Sequence, residues 1–158
     1  AVLHHRQKEL GVVVVDIGGT TTSMIVFEEG DVVHTAVLPI GSDHITSDIA
    51  IGLRISIDSA EAIKFRYGTA LPKMIDKKEM LKMSDLGLVD EGEIPKRYIS
   101  EIIEARAEEI MRKVDQELSK VNRSGMLPAG VVLIGGGAKL PGMIELTKNI
   151  LRLPVTSG

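Results

Sequence analysis

The stretch GVVVVDIGGTTTSMIVF, residues 11–27, carries the strongest structural signal in this sequence. Two runs of mostly β-branched apolar residues, VVVV and MIVF, have the composition of β-strands, and the turn between them contains Gly18 and Gly19. A second turn and two more short apolar stretches follow as far as Leu38. The stretch therefore predicts a three-stranded antiparallel meander from Val12 to Leu38. Because side chains alternate along a strand, we expect the first strand to be buried on both faces of a helix-covered sheet.

The remaining chain predicts helices around a polar insertion, and one further strand. Residues 69–96 have no sustained period and predict a small insertion of short strands. The apolar run 131–134 predicts a buried strand of the same sheet, with the glycines after it facing the same cleft as the first glycine turn. Asp58 or Ser59 is the expected cap of the second helix. Apolar periodicity and capping residues predict helices at 45–53, 60–68, 99–122 and 141–151, so the order of elements is α/β.

Composition places the chain among globular proteins. With 158 residues, 44% of them hydrophobic, and a formal net charge of -3, it is long enough to bury the core of one compact domain. We find no basic patch and expect no binding to nucleic acid. The chain has no cysteine, which excludes disulfides and fits a cytoplasmic protein, and it has no apolar run of membrane-spanning length. His4 and His5 are interpreted as part of a linker without a role.

The first glycine turn has the residue types of a phosphate-binding turn. Asp16 ends the first strand, and Gly18, Gly19, Thr20 and Thr21 follow it. Glycine lets backbone N–H groups approach a ligand closely, the hydroxyls line the rim, and the carboxylate can hold a hydrated Mg²⁺. Taken alone, the same residues fit equally well a simple hairpin in which the aspartate accepts hydrogen bonds from the turn amides.

A second glycine turn follows the predicted buried strand. Gly135, Gly136, Gly137 and Ala138 lie between that strand and the last predicted helix. This context lets a planar or phosphorylated ligand lie against the backbone. By itself, the pattern favours a tight connection between strand and helix.

Glu61 and Lys64 are three residues apart on the second predicted helix and are therefore neighbours on its surface. Such a pair can hold the two hydroxyls of a ribose. Without further context, an exposed ion pair worth a few tenths of a kcal/mol is the simpler interpretation.

The three segments in this order resemble the actin-like ATPase superfamily, whose ribonuclease H-like α/β fold has a mixed sheet flanked by helices and a small α+β insertion. Residues 11–27 are similar to its second phosphate loop, VVLIGGGAKLPGM to its adenosine loop, and AEAIKFRYG to its ribose-binding helix. Two further stretches, ITSDIAIGL and YISEIIEARAEEI, resemble the FtsA family of bacterial cell-division proteins. The resemblance extends to about Pro154.

The resemblance implies a nucleotide site for ATP and Mg²⁺. It implies that Asp16 holds Mg²⁺ through water and that the adenosine and phosphates contact the glycine turns. It also implies the division into subdomain 2A, residues 1–68 and 128–158, and subdomain 2B, residues 69–127. Thr20 replaces a usual third glycine and Ser23 a frequent acid, which puts hydrolysis in more doubt than binding. The implied nucleotide contacts are Asp16, Gly18, Gly19, Thr20, Thr21, Glu61, Lys64, Gly135, Gly136, Gly137 and Ala138.

The resemblance also implies partners. They are the carboxy-terminal tail of FtsZ, which would dock on Arg106 with support from Arg97 and Lys96, and further copies of the protein in actin-like filaments. We expect Arg97 and Arg106 on the same side of the long helix; the alternative is that these cations pair with nearby glutamates. A role at the inner face of the cell membrane, at the division site, would need a membrane-binding segment beyond this sequence.

The same resemblance limits the expected activity. We interpret the chain as the carboxy-terminal half of a scaffold that is at most a slow ATPase, and we expect this half alone to bind ATP weakly and to be inactive. The alternatives are an adaptor similar to the pilus-assembly protein PilM, and a small-molecule kinase or ATPase of the same fold.

Overall fold

A computed structural model of the protein describes residues 2–88 and 91–158. The helices within these residues are α1 His5–Leu10, α2 Ser42–Leu53, α3 Ile57–Tyr67, α4 Lys96–Lys120 and α5 Met143–Leu151. The strands are β1 Val12–Ile17, β2 Thr22–Glu28, β3 Asp31–Leu38, β4 Met80–Lys82, β5 Glu93–Pro95, β6 Val131–Ile134 and β7 Val155–Ser157. Short 3-10 turns lie at Pro72–Met74, Met83–Leu86 and Gly136–Lys139.

The main sheet has the strand order β3-β2-β1-β6-β7, and this mixed sheet confirms the predicted fold class. Strands β1, β2 and β3 pair antiparallel as the predicted meander, and β1 pairs parallel with β6. Asp16 lies opposite Ile134 in this parallel register. Because parallel strands end at the same edge, the glycine turns after β1 and β6 are neighbours, as predicted.

One core joins the sheet to the helices. Val13, Val15 and Ile17 point into it, together with the apolar residues of α2, α4 and α5. On the opposite face Val12 is buried, but Ile25 and Val37 are 39% and 67% exposed. The expected helix cover on both faces is therefore only partial.

The long helix α4 belongs to the same core as the sheet. Its buried positions follow spacings of three and four, and the helix packs along both α2 and α5. Residues 69–95 contain the two-stranded β4–β5 sheet, which confirms the predicted short strands. The division into subdomains 2A and 2B stays a prediction, and a single hydrophobic cluster includes residues from both ranges.

Two elements and one cap differ from the predictions. Helix α1 and strand β7 were not predicted. They have six and three residues, and neither is long enough to produce a readable period in the sequence. Helix α3 is capped by Ser56, whose Oγ accepts a hydrogen bond from the backbone N–H of Ser59 at 3.1 Å, and not by Asp58 or Ser59. Within the described part of the chain, no helix is long and apolar enough to cross a bilayer.

Candidate functional site

The first glycine turn is closed by its own backbone and held by helix α2. The N–H of Gly18 donates to the carbonyl of Thr21 at 2.9 Å. The N–H groups of Ser42 and Asp43, at the start of α2, donate to the carbonyls of Gly18 and Gly19, both at 2.9 Å. These bonds satisfy amides that a helix start leaves without partners, and they fix the turn relative to α2.

Gly41, the residue before α2, makes this contact possible. A Cβ atom at Gly41 would lie 2.5 Å from the carbonyl oxygen of Gly19. Only glycine therefore lets the chain pass this close to the turn. Sequence reasoning missed this residue, although a glycine before a predicted helix is a visible signal.

The second glycine turn approaches the end of β1 equally closely. Gly135 has a φ of +90°, and a Cβ atom there would lie 2.5 Å from the carbonyl oxygen of Ile17. Gly137 is buried against the side chain of Ile17. Gly136 differs, because a Cβ atom there would have no other heavy atom within 4 Å. The turn thus needs glycine for packing at two positions and is open at the third.

Glu61 and Lys64 form a hydrogen-bonded cluster with Thr46 of α2. The Nζ of Lys64 lies 2.8 Å from Oγ1 of Thr46 and 3.0 Å from Oε2 of Glu61. The Thr46 hydroxyl donates a short hydrogen bond to the same Oε2. Lys64 is only 6% exposed, and a charge buried to this degree requires such partners.

The ionised form of Glu61 is favoured by this cluster. Burial alone would raise its pKa, but the hydrogen bonds from Thr46 and Lys64, with the positive charge of Lys64, lower the pKa below the usual 4.5. The side chain of Glu61 remains 39% exposed, so this carboxylate can still meet a ligand.

A cavity of about 390 Å³ lies between helices α2 and α3 and the second glycine turn. This volume lies in the range of about 300–1,000 Å³ that is typical of ligand pockets. Phe65, which is 79% exposed, adds an aromatic wall that sequence reasoning missed because exposure is not readable from a helical pattern. The lining residues are Ser42, Glu61, Lys64, Phe65, Gly136, Gly137, Lys139, Leu140 and Pro141.

The structure thus brings together only part of the predicted set. Glu61 and Lys64 share the cavity with Gly136 and Gly137. Gly135 and Ala138 instead line a different cavity, beside the carboxyl ends of β6 and β7. The residues of the first turn are outside the cavity lining, and all of them except the half-buried Gly18 are exposed: Asp16, Gly19, Thr20 and Thr21.

Comparison with known sequences identifies the family of the chain. The profile described as "Cell division protein FtsA" matches residues 13–158. The chain belongs to the FtsA family. It is 41% identical over 158 residues to cell division protein FtsA of Pseudomonas aeruginosa, covering 100% of this chain and 38% of that protein. It is 38% identical over 152 residues to FtsA of Bacillus subtilis, covering 96% of this chain and 34% of that protein. The chain therefore spans well under half the length of these relatives.

Solved structures confirm the actin-like fold. MreB5 of Spiroplasma citri bound to ADP superposes with a TM-score of 0.76 at 22% identity, covering 96% of this chain and 50% of that chain. The archaeal actin homolog Ta0583 superposes with a TM-score of 0.66 at 16% identity, covering 96% of this chain and 44% of that chain. A chain of the PilM–PilN type IV pilus biogenesis complex superposes with a TM-score of 0.70 at 19% identity, covering 98% of this chain and 37% of that chain. At these identities the likeness shows the fold alone.

In this FtsA-family chain, the three predicted docking cations are engaged inside the chain. Arg106 donates from Nε and Nη2 to Asp48 of α2, at 2.7 and 2.9 Å, and from Nη1 to Glu109 at 3.0 Å. The hydrogen bonds with Asp48 raise the pKa of Arg106. Arg97 donates to the carbonyl of Pro72 at 2.8 Å, and Lys96 pairs with Glu79 at 3.1 Å.

The expectation that Arg97 and Arg106 lie on the same side of the helix is wrong. Nine residues are about two and a half turns, and the remaining half turn places the two side chains on opposite sides. Accordingly, Arg106 reaches α2, whereas Arg97 reaches the 3-10 turn at Pro72.

Proposed function

We propose that this chain is the nucleotide-facing part of a cell-division scaffold that binds ATP. The observation that supports this most is the cavity in which Glu61 and Lys64 meet Gly136 and Gly137, because residues from two distant segments converge there. The turn from Gly18 to Thr21, exposed from Gly19 onward, lies at the same sheet edge. MreB5 of Spiroplasma citri, which has a similar fold, has been solved bound to ADP and bound to AMPPNP, which supports a nucleotide as the ligand class.

The adenosine would occupy the cavity and the phosphates the first glycine turn. Phe65, Leu140 and Pro141 supply apolar contact area for a base, and the ribose would lie beside Glu61 and Lys64. The amides of the first turn would bind phosphate oxygens, with Thr20 and Thr21 at the rim.

Asp16 fits a magnesium ion held through water. Its carboxylate is exposed at the edge of the turn, and within the described residues no three His, Cys, Asp or Glu side chains are grouped to hold a metal directly. Mg²⁺ commonly keeps several waters and needs few protein carboxylates, so one aspartate suffices. When bound, Mg²⁺ would neutralise phosphate charge.

Titration of this chain with ATP by NMR tests the nucleotide proposal. We expect a dissociation constant of about a millimolar, because the chain spans 38% of the length of its Pseudomonas aeruginosa relative and the resemblance implies further nucleotide contacts in the remainder. Shifts should be largest at the two glycine turns and α3. Asp16→Ala should weaken Mg²⁺-dependent binding by about tenfold, whereas Asp31→Ala, at the opposite end of the sheet, should leave it unchanged. Micromolar affinity would contradict the half-site interpretation, and saturation without shifts at the turns would contradict the site.

We further propose that α4 docks the carboxy-terminal tail of FtsZ, and that the complete protein forms actin-like filaments at the inner face of the membrane. Membership of the FtsA family supports this proposal. Arg106 is the proposed centre of the docking surface. Since its guanidinium is occupied by Asp48 and Glu109, a peptide carboxylate would have to replace one of them. In this exchange the guanidinium of Arg106 keeps its charge-assisted hydrogen bonds, because the peptide carboxylate accepts them in place of Asp48 or Glu109.

Peptide titration tests the docking proposal. Arg106→Glu should weaken binding of an FtsZ-tail peptide by tenfold to about a hundredfold, because it adds repulsion and removes the fork. Arg112→Glu is the matched control, since Arg112 lies on the same helix and is 62% exposed at its side chain. Equal affinities of the two variants, both folded by circular dichroism, would rule out Arg106 as the docking residue.

A further inference from the structure

Within the described residues, the ammonium group of Lys64 is surrounded by acceptors of the chain itself. Its three N–H groups face three acceptors of the chain: Oγ1 of Thr46 at 2.8 Å, Oε2 of Glu61 at 3.0 Å, and the carbonyl of Ser42 at 3.5 Å. A lysine has three donors and no acceptor. A ribose hydroxyl could therefore bind Lys64 only by displacing one of these partners.

Glu61, in contrast, has a free oxygen. Both Thr46 and Lys64 contact Oε2, and within the described residues no group donates a hydrogen bond to Oε1. The side chain is 39% exposed and lines the cavity. A carboxylate oxygen in this state accepts hydrogen bonds from hydroxyl groups.

Thr46 connects the two charged residues and is itself buried, with 2% exposure. A hydroxyl has one proton, and an ionised carboxylate can only accept, so the shorter contact assigns this proton to Glu61; the carbonyl of Ser42 is the more distant acceptor, at 3.4 Å. The oxygen of Thr46 meanwhile accepts from Lys64. Thr46 lies on α2 and the other two on α3, so this hydroxyl fixes the carboxylate from a second helix.

We propose that Glu61 alone takes the ribose hydroxyls, that Thr46 is a positioning residue for its carboxylate, and that the site thereby selects ribonucleotides over 2′-deoxyribonucleotides. The proposal rests on the proposed nucleotide function. Lys64 then serves as an internal counter-ion that keeps Glu61 charged at the cavity wall. A site built around a hydroxyl rejects the analogue that lacks it, because its acceptor is left without a donor.

The decisive variant is Thr46→Val, which removes the hydroxyl and keeps the shape. Thr46→Ser should restore the wild-type behaviour. Thr147→Val is the matched control, because Thr147 is also buried and its hydroxyl donates to the carbonyl of Met143 in its own helix, at 2.7 Å.

Two measurements on the 158-residue chain test the proposal. The first needs no nucleotide: carbon-detected NMR titration of the Glu61 carboxyl. Thr46→Val should raise the pKa of Glu61, because a hydrogen bond to the charged form is lost, whereas Thr46→Ser and Thr147→Val should leave it in place. The second compares ATP with 2′-deoxyATP. The wild type should prefer ATP by about tenfold, and Thr46→Val should reduce this preference to about onefold to twofold.

The outcomes separate the two proposals. If the folded wild type shows no shifts with either nucleotide at millimolar concentration, the proposed nucleotide function fails and the selectivity fails with it. If ATP binds but Thr46→Val changes neither the Glu61 titration nor the preference for ATP, the positioning role of Thr46 is overturned while nucleotide binding stands. A preference for ATP that survives Glu61→Ala, which removes the acceptor altogether, would overturn Glu61 as the ribose acceptor.

Discussion

The glycine turns at the sheet edge and the cations of α4 are held in place by different forces. Backbone hydrogen bonds from α2 and close packing against Ile17 fix the two turns. Carboxylate side chains hold Arg106, and they remain partly exposed. A backbone contact tolerates no added atom, whereas an ion pair can exchange one carboxylate for another. The turns are therefore suited to a constant ligand site, and the cations of α4 to a replaceable contact.

The largest effect that would test this contrast is expected at the second glycine turn. Gly135→Ala should destabilise the chain by about 2 to 4 kcal/mol, since it puts a side chain at positive φ and against the carbonyl of Ile17. Gly136→Ala is the control at the neighbouring position and should stay within about 1 kcal/mol of wild type, because its Cβ atom meets nothing. Urea unfolding measures both values. Equal costs at the two positions would remove the packing explanation.

A smaller effect is expected for the ion pair between α2 and α4. In a double-mutant cycle of Asp48→Asn and Arg106→Gln, we expect a coupling energy of about 1 to 2 kcal/mol, because both side chains are three-quarters buried and share two hydrogen bonds.

The exposed pair of Arg112 and Glu108 on the same helix is the control for this cycle. Its side chains are 62% and 35% exposed, and we expect coupling below about 0.5 kcal/mol. If the exposed pair coupled as strongly as Asp48 and Arg106, burial would not be what distinguishes the contact between helices.

The smallest expected effect is a pH dependence of folding stability that arises from carboxylates of α4. The hydrogen bond from Lys120, against an opposing effect of burial and with help from His34, lowers the pKa of Glu117 below 4.5. The folded pKa lies below the unfolded one, so this contribution to stability is fully present above about pH 4.5 and is lost as pH falls through the folded value. Glu117→Gln should therefore be less stable than wild type near neutral pH, with a difference that shrinks in acid.

Glu104 supplies a control of opposite sign on the same helix. Burial, followed by the charges of Glu108 and Glu101, raises the pKa of Glu104. The contribution of Glu104 to folding stability is present below its pKa in the unfolded chain and is lost as pH rises through its pKa in the folded chain. Glu104→Gln should thus gain stability relative to wild type as pH rises from about 4 to 7. Parallel pH profiles for the Glu117 and Glu104 variants would contradict both assignments.

Local pattern was a good guide to the sheet and a poor one to side-chain pairing. The apolar, mostly β-branched runs of β1 and β2 and the glycines after β1 and β6 predicted the meander and the shared edge, because strand composition and turn chemistry are local properties. The short elements α1 and β7 had no readable period. The opposite placement of Arg97 and Arg106 could have been derived from the helical repeat, and the error lay in counting half a turn as none.

By itself, the amino-acid sequence determined the α/β order, the meander and the strand β6, the long helix and membership of the FtsA family, since these depend on periodicity and on motifs within single segments. Only the tertiary structure decided that Gly41 lies against the first turn, that Thr46 binds Glu61 and Lys64, and that Asp48 holds Arg106. These contacts join residues on different elements. Which side chains meet there depends on how α2 packs on the sheet and on α4, and that packing is a property of the whole core and not of any one segment.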